Sequence, residues 1–201
     1  MSRLLMVRHG ETELNSALRY WGRSDVKLSA LGLSQAERLR DRLAFEKIDA
    51  IYSSSLVRAR VTAEIIASGH RLAITDCPEL CEVDFGKLEG LTFEEIKQQY
   101  PDVAKLWIER SPELEYPGGE NRNRFYNRVC SFISRLEKHR QCETILIVAH
   151  SGVLRTIICR LLGIDLDSRW QMRLDLASLS TVETHPNMSV LTLLNDVSHL
   201  R

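Results

Sequence analysis

Thr144-Ile145-Leu146-Ile147-Val148-Ala149-His150-Ser151-Gly152 is the stretch whose reading decides the fold. A strand with one wet face alternates apolar and polar residues, whereas a strand covered on both faces carries an unbroken apolar run. Thr144 to Ala149 is such a run, and it stops at a histidine followed by small residues. Near the other end of the chain, Leu4-Leu5-Met6-Val7 runs in the same way into Arg8-His9-Gly10. Two buried strands that both end in histidine point to a sheet with helices on both faces. In parallel sheets of that kind, ligands bind in the crevice outside the carboxyl ends of the strands. His9 and His150 are then expected to open onto one crevice.

The intervening sequence supports an α/β alternation. Ser29 offers an N-cap, and Gly32, Ala36, Leu39 and Leu43 fall on one face of the helix that follows. Asp49 to Ser53 reads as a strand, and a helix from about Leu56 carries Val57, Val61 and Ile65 four apart. Leu72 to Thr75 reads as a short strand. Thr92 to Tyr100 reads as a helix that stops at Pro101, and residues 111 to 120, with two prolines and two glycines, as a loop. Phe125, Val129, Phe132, Ile133 and Leu136 have core spacing for a helix, and Val153 to Leu162 forms another. The chain closes with strand-like runs at Leu179 to Thr184 and Val190 to Leu194. The linker His185-Pro186-Asn187-Met188 suits a hairpin, so one strand should run antiparallel. The expected architecture is a three-layer α/β/α sandwich with a mostly parallel sheet, in a single domain spanning residues 1–201.

Composition narrows the function. The 201 residues carry 27 Lys plus Arg against 27 Asp plus Glu, so the basic surplus expected of a nucleic-acid binder is missing. The five cysteines are odd in number and irregularly spaced, which argues against a disulfide framework. Cys77 and Cys81 have no second pair to complete a zinc site. The apolar run at Leu4 to Val7 is too short for a signal-peptide core, and no stretch approaches the ~18 apolar residues of a membrane span. The expectation is a cytoplasmic protein with neither nucleic acid nor membrane as partner.

Arginine suits a phosphate because its planar fork donates two parallel hydrogen bonds. Arg8 precedes His9, and Arg58 falls in the first turn of the helix after the Asp49 strand, on the crevice side. The helix after His150 turns its free N–H groups toward the same place. A lone histidine at a strand end is ordinarily structural; it is the repetition that raises the pair above that reading. Neither GxxxxGK[ST] nor GxGxxG occurs, and Ala149-His150-Ser151-Gly152-Val153 lacks the first glycine of a nucleophile elbow.

With these residues placed, the chain resembles the histidine phosphatase superfamily, also called the phosphoglycerate mutase-like family. Arg8-His9-Gly10-Glu11-Thr12 with Asn15 resembles its signature, and Gly22-Arg23-Ser24-Asp25 with Leu28-Ser29 and Gly32 its second segment. Ser53-Ser54-Ser55-Leu56-Val57-Arg58-Ala59 with Thr62-Ala63 resembles its second-arginine segment. Glu82-Val83-Asp84-Phe85-Gly86 with Glu89-Gly90 resembles its acid segment, and Pro117-Gly118-Gly119-Glu120 and Ala149-His150-Ser151-Gly152 complete the order. The resemblance implies His9 as nucleophile, Arg8 and Arg58 as phosphate clamps, His150 as a further phosphate ligand and Glu82 as general acid/base. It also implies Asn15 as a phosphate contact, with backbone near Gly22 and Ser151 lining the pocket. No metal and no cofactor is implied, and the partner is a small-molecule phosphate ester. Leu88, Asn121 and Lys27 depart from frequent family residues and bear on substrate choice rather than on the phosphate core.

Neutral imidazole is a suitable nucleophile toward an anionic ester, and two flanking guanidinium groups disfavour its protonation. A phosphoenzyme divides hydrolysis into two transfers. A mutase built on the same phosphohistidine usually has a Tyr-Gly-Gly flavour in the acid segment and a longer chain; Val83-Asp84-Phe85-Gly86-Lys87 favours hydrolysis. A non-catalytic module could dispense with His9 or Glu82, and both are present. Gly22-Arg23-Ser24-Asp25-Val26 and the compact length resemble the α-ribazole phosphatases of cobalamin assembly, which implies α-ribazole 5′-phosphate as a substrate; broad-specificity sugar-phosphate phosphatases share most of the pattern.

Overall fold

A computed structural model describes residues 2–14, 19–139 and 143–201 of the chain. Along the sequence come β1 (Ser2–Arg8), α1 (Ala30–Leu43), β2 (Ala50–Ser54), α2 (Val57–Ala67), β3 (Ile74–Cys77), α3 (Phe93–Gln99), α4 (Pro101–Ile108), α5 (Arg122–Arg135), β4 (Thr144–Ala149), α6 (Ser151–Leu162), β5 (Leu179–Thr184) and β6 (Ser189–Asp196). The six strands form one sheet in the order β3-β2-β4-β1-β5-β6. β1, β2, β3 and β4 are mutually parallel, while β5 pairs antiparallel with both β1 and β6, so it is the single reversed strand.

The strand period of two builds the layers. On β1, Leu4 and Met6 face one way and pack with Phe125, Val129 and Phe132 of α5 and Val153 and Ile157 of α6. Leu5 and Val7 face the other way, against Leu39 and Leu43 of α1 and Ala59, Ala63 and Ile66 of α2. Leu4, Leu5, Met6 and Val7 are all buried, as the unbroken apolar run requires. Each such side chain contributes about 1.5–3 kcal/mol on burial.

α1 starts as expected: Ser29 caps it through the Gly32 N–H, and its buried residues are Gly32, Ala36, Leu39 and Leu43. α2 differs in its face. Val57, Val61 and Ile65 are only half-buried, and the inward residues are Arg58, Ala59, Thr62, Ala63, Ile66 and Ala67. The alanines allow close packing on the sheet and α1, and the larger β-branched residues take the flank. The third strand lies two residues later than its apolar content suggested. Pro101 ends α3, whose last residue is Gln99, as expected, but a second helix follows at once. The proline opens that helix, α4, at a first-turn position, where a missing N–H costs nothing. Residues between β3 and α5 form a separate apolar cluster, with Phe85, Leu88, Ile96, Ala104, Leu114 and Tyr116 buried together. Leu88, one of the departures from family usage, is fully buried there. Asn121, another, caps α5 by accepting from the Arg124 N–H.

The four cysteines among the described residues, Cys77, Cys81, Cys130 and Cys159, are free; Cys142 lies outside them. Among the described residues, no helix is long and apolar enough to cross a membrane.

Candidate active site

β1 and β4 are neighbours in parallel register, with Arg8 opposite Ala149. The chain leaves both strands at the same edge of the sheet, and the next residues are His9 and His150. Their ring centroids lie 5.0 Å apart with planes inclined at 58°. The His9 backbone is tied on both sides: its N–H donates to the Ala149 carbonyl and its carbonyl accepts from Ala177. His9 and His150 are 6% and 1% exposed, so neither ring is a solvated surface group.

Arg58 arrives from the first turn of α2 and is 3% exposed. Its guanidinium donates to the carbonyls of Ser24 (2.8 Å) and Gly22 (2.7 Å), which fixes the fork. Arg60, two residues on, pairs instead with Glu64 at 2.9 Å. Arg8 donates through Nη1 to the Leu174 carbonyl at 2.7 Å, and its buried Nε has no hydrogen-bond partner. A cavity of about 250 Å³ brings together Arg8, His9, Arg58, Glu82, His150 and Ser151. Gly22 does not line it. Its place is behind Arg58, where a Cβ would come within 1.9 Å of the Val83 carbonyl. Asn15 lies outside the described residues.

Glu82 reaches the cavity from the segment after β3 and is 8% exposed. One carboxylate oxygen accepts from Gly152 N–H at 3.0 Å and the other from Val83 N–H at 3.0 Å. The helix N terminus expected to present free N–H groups to an anion therefore already gives one of them to Glu82. The anion is the protein's own carboxylate.

The electrostatics set the imidazoles apart from ordinary histidine. Burial pushes the His9 pKa well below its usual value, and the charges of Arg58 and Arg8 push it further; the Gly10 carbonyl opposes them weakly. Nδ1 of His9 lies 2.7 Å from that carbonyl. A carbonyl can only accept, so Nδ1 carries the hydrogen and Nε2 holds the free lone pair. Burial likewise pushes His150 well below the usual value, aided by Arg58, His9 and Arg8. Burial lowers the Arg8 and Arg58 pKa values too, with Glu82 as the leading opposing charge. Guanidinium nevertheless stays charged.

Several contributors were not legible in the motifs. Ser54 Oγ is 2.8 Å from His150 Nε2, accepts from Leu56 N–H, and lies 3.5 Å from Cys81 Sγ. Arg128 of α5 holds the segment that carries Glu82. It donates to Glu120 through Nε and Nη2 (both 2.8 Å), to the carbonyls of Glu79 and Cys81, and to the Glu82 carbonyl at 3.3 Å. Arg155 lies on the cavity wall, four residues after Ser151 and so on the same helix face, a spacing that could have revealed it. The outer wall is aromatic, with Tyr20, Phe85, Trp107 and Tyr116 in mutual ring contact. Seven of the lining residues are arginines and one, Glu82, is acidic, so the cavity is built for anions. Among the described residues, no group of three or more His, Cys, Asp or Glu is arranged to hold a metal ion.

The sequence model of the histidine phosphatase superfamily, branch 1, matches residues 4–197. The chain is 36% identical over 200 residues to phosphoserine phosphatase 1 of Hydrogenobacter thermophilus, covering all of this chain and 95% of that one. It is 32% identical over 193 residues to the adenosylcobalamin/α-ribazole phosphatase of Escherichia coli, covering 96% and 95%. The crystal structure of a putative α-ribazole-5′-P phosphatase from E. coli superimposes with a TM-score of 0.91 at 32% identity, covering 97% of this chain and 96% of that one.

Proposed function

The chain belongs to branch 1 of the histidine phosphatase superfamily and is a phosphoric monoester hydrolase, and from that premise we propose that it works through a phosphohistidine on His9. The observation that carries the proposal is the convergence of a buried free-base imidazole, a second imidazole 5.0 Å away and two guanidinium groups on one cavity. The lone pair of His9 Nε2 attacks phosphorus, the bond to the ester oxygen breaks, and Glu82 gives that oxygen its proton. Water then attacks the phosphohistidine while the Glu82 carboxylate takes a proton from it. The His9 nitrogen leaves with its electron pair, releasing inorganic phosphate.

The transition state is loose, with negative charge on the equatorial oxygens, so catalysis consists mainly of holding them. Arg8, Arg58 and His150 do this, each fixed in advance by the protein contacts described above. One preorganised donor of this kind is worth about 3–4 kcal/mol. The phosphoryl group also competes with Glu82 for the Gly152 N–H. Its arrival frees the carboxyl group to turn toward the leaving oxygen. Ser151 lines the phosphate end, Gly22 acts through Arg58, and Asn15 supplies a further phosphate contact.

For the substrate, the relatives put forward two small esters. α-Ribazole 5′-phosphate follows from the resemblance in Gly22–Val26 and would place the enzyme in cobalamin assembly. Phosphoserine follows from the 36% identical relative. The surplus of arginine in the cavity favours the ester with a second negative charge. The deciding experiment is phosphate release by wild type and His9→Ala, with acid-labile phosphoprotein trapped by rapid quench. The variant is expected to lose both turnover and the trapped phosphoenzyme; undiminished turnover ends the proposal.

A further inference from the structure

Arg155 is the one half-buried arginine of the cavity wall with no hydrogen-bonded or ion-paired oxygen among the described residues. Arg8 and Arg58 donate to backbone carbonyls, and Arg122 and Arg169 share Asp167 at 2.9 and 3.5 Å. Its Nε is buried and unpartnered. The guanidinium carbon lies 5.9 Å from the centroid of the Trp170 ring, which also carries Arg169 at 4.9 Å, so an aromatic face holds the fork in place. Among the described residues, the carboxylate whose charge acts on it is that of Glu82, on the same cavity wall. In the first transfer that group must be the neutral acid, which leaves Arg155 without a counter-ion at the moment the substrate is bound.

Position along the helix says what the free fork would meet. Four residues at 1.5 Å rise place Arg155 about 6 Å along α6 from Ser151, beyond the phosphate end of the cavity. The phosphoryl oxygens are already served by two arginines and His150. A planar fork with two parallel donors matches a planar carboxylate. Resting on the phosphohistidine reading above, we infer that Arg155 binds a carboxylate carried by the substrate near its ester oxygen, and so selects phosphorylated hydroxy acids and hydroxy amino acids over neutral nucleoside or sugar monoesters.

The test compares phosphoserine with phosphoethanolamine, which has the same skeleton without the carboxylate, using wild type, Arg155→Gln and Arg155→Lys, with thermal melts to verify folding. Wild type should prefer phosphoserine. Arg155→Gln should reduce the ratio of the two kcat/KM values by about 10–100-fold, the range set by one charge-assisted hydrogen-bonded pair. Arg155→Lys, which keeps the charge but loses the fork, should restore part of the ratio. An unchanged ratio in Arg155→Gln, or wild-type preference for phosphoethanolamine or α-ribazole 5′-phosphate, overturns the assignment of Arg155 while leaving the phosphatase reading intact. Absence of phosphate release from every ester by wild type removes both.

Discussion

Replacing Arg128 by methionine tests whether the position of Glu82 is set by the network behind it. Arg128 and Glu120 are side chains only 15% and 10% exposed, joined by two 2.8 Å hydrogen bonds. Burial alone pushes the Glu120 carboxyl up, but the hydrogen bonds and charge of Arg128, helped by the Asp84 N–H and the charge of Arg23, together reverse this and hold it below its usual range. Arg128→Met leaves a buried carboxylate with only the Asp84 N–H at 3.1 Å and Arg23 at 3.8 Å for partners. A buried pair broken on one side costs about 3–5 kcal/mol, whereas replacing both members by apolar residues is often neutral. Arg128→Met/Glu120→Met should therefore return to within about 1–2 kcal/mol of wild type in urea unfolding. Activity should not return with it. Both variants lose the donors to the carbonyls of Glu79, Cys81 and Glu82. With Glu82 no longer fixed, kcat on an alkyl phosphate should fall by about 10²-fold, the low end for a displaced general acid. An aryl phosphate, whose leaving group needs no proton, should lose far less. A single variant less than about 1 kcal/mol destabilised, or a double variant with wild-type kcat on the alkyl ester, refutes the reasoning.

The histidine titrations give a second check. By NMR, His9 should stay neutral well below the ordinary range near 6.5, and Arg58→Gln should move its pKa up by removing one of the two cations that disfavour imidazolium; a His9 titrating at the ordinary value contradicts the site electrostatics. The same depression has a sign for stability. The unfolded chain takes up protons as pH falls below about 6.5 while buried His9 and His150 do not, so the urea midpoint should drop between pH 7 and pH 5. Gly152→Ala puts a Cβ 2.5 Å from Glu82 Oε1, the end of a flexible side chain; kcat should fall with a melting temperature close to wild type, and equal kcat means that Glu82 has no fixed seat there. EDTA should leave phosphate release unchanged, and a strong loss rejects the metal-independent chemistry.

The features legible in the sequence were the local ones. β4 and β5 have the boundaries their apolar runs imply, and the Ser29 cap and inward face of α1 follow from spacing. The meeting of His9 and His150 could be anticipated because parallel strands open at one edge. What depended on tertiary choice was not legible. Whether α2 turns its valines or its alanines inward is decided by how closely it packs on the sheet, which periodicity does not contain. Whether Pro101 is only a stop or also a start depends on whether a helix follows, and α4 is held by the aromatic cluster around Trp107. Arg128 reaches across 46 to 49 residues of sequence to the Glu82 segment, and no spacing rule spans that gap.

The contact between Ser54 and His150 gives the second imidazole a direction. Ser54 accepts from the Leu56 N–H, and its one hydrogen has two acceptors in reach, Cys81 Sγ at 3.5 Å and His150 Nε2 at 2.8 Å, of which the ring nitrogen is the nearer and the stronger. With that hydrogen directed at Nε2, the uncharged ring keeps its own on Nδ1, the buried atom that no described residue engages. Such a ring grips an anion by its dipole alone. Its hold does not fade when the solvent turns mildly alkaline, as an imidazolium's would, and loss of the serine would let the ring turn its lone pair toward the very oxygens it is meant to attract.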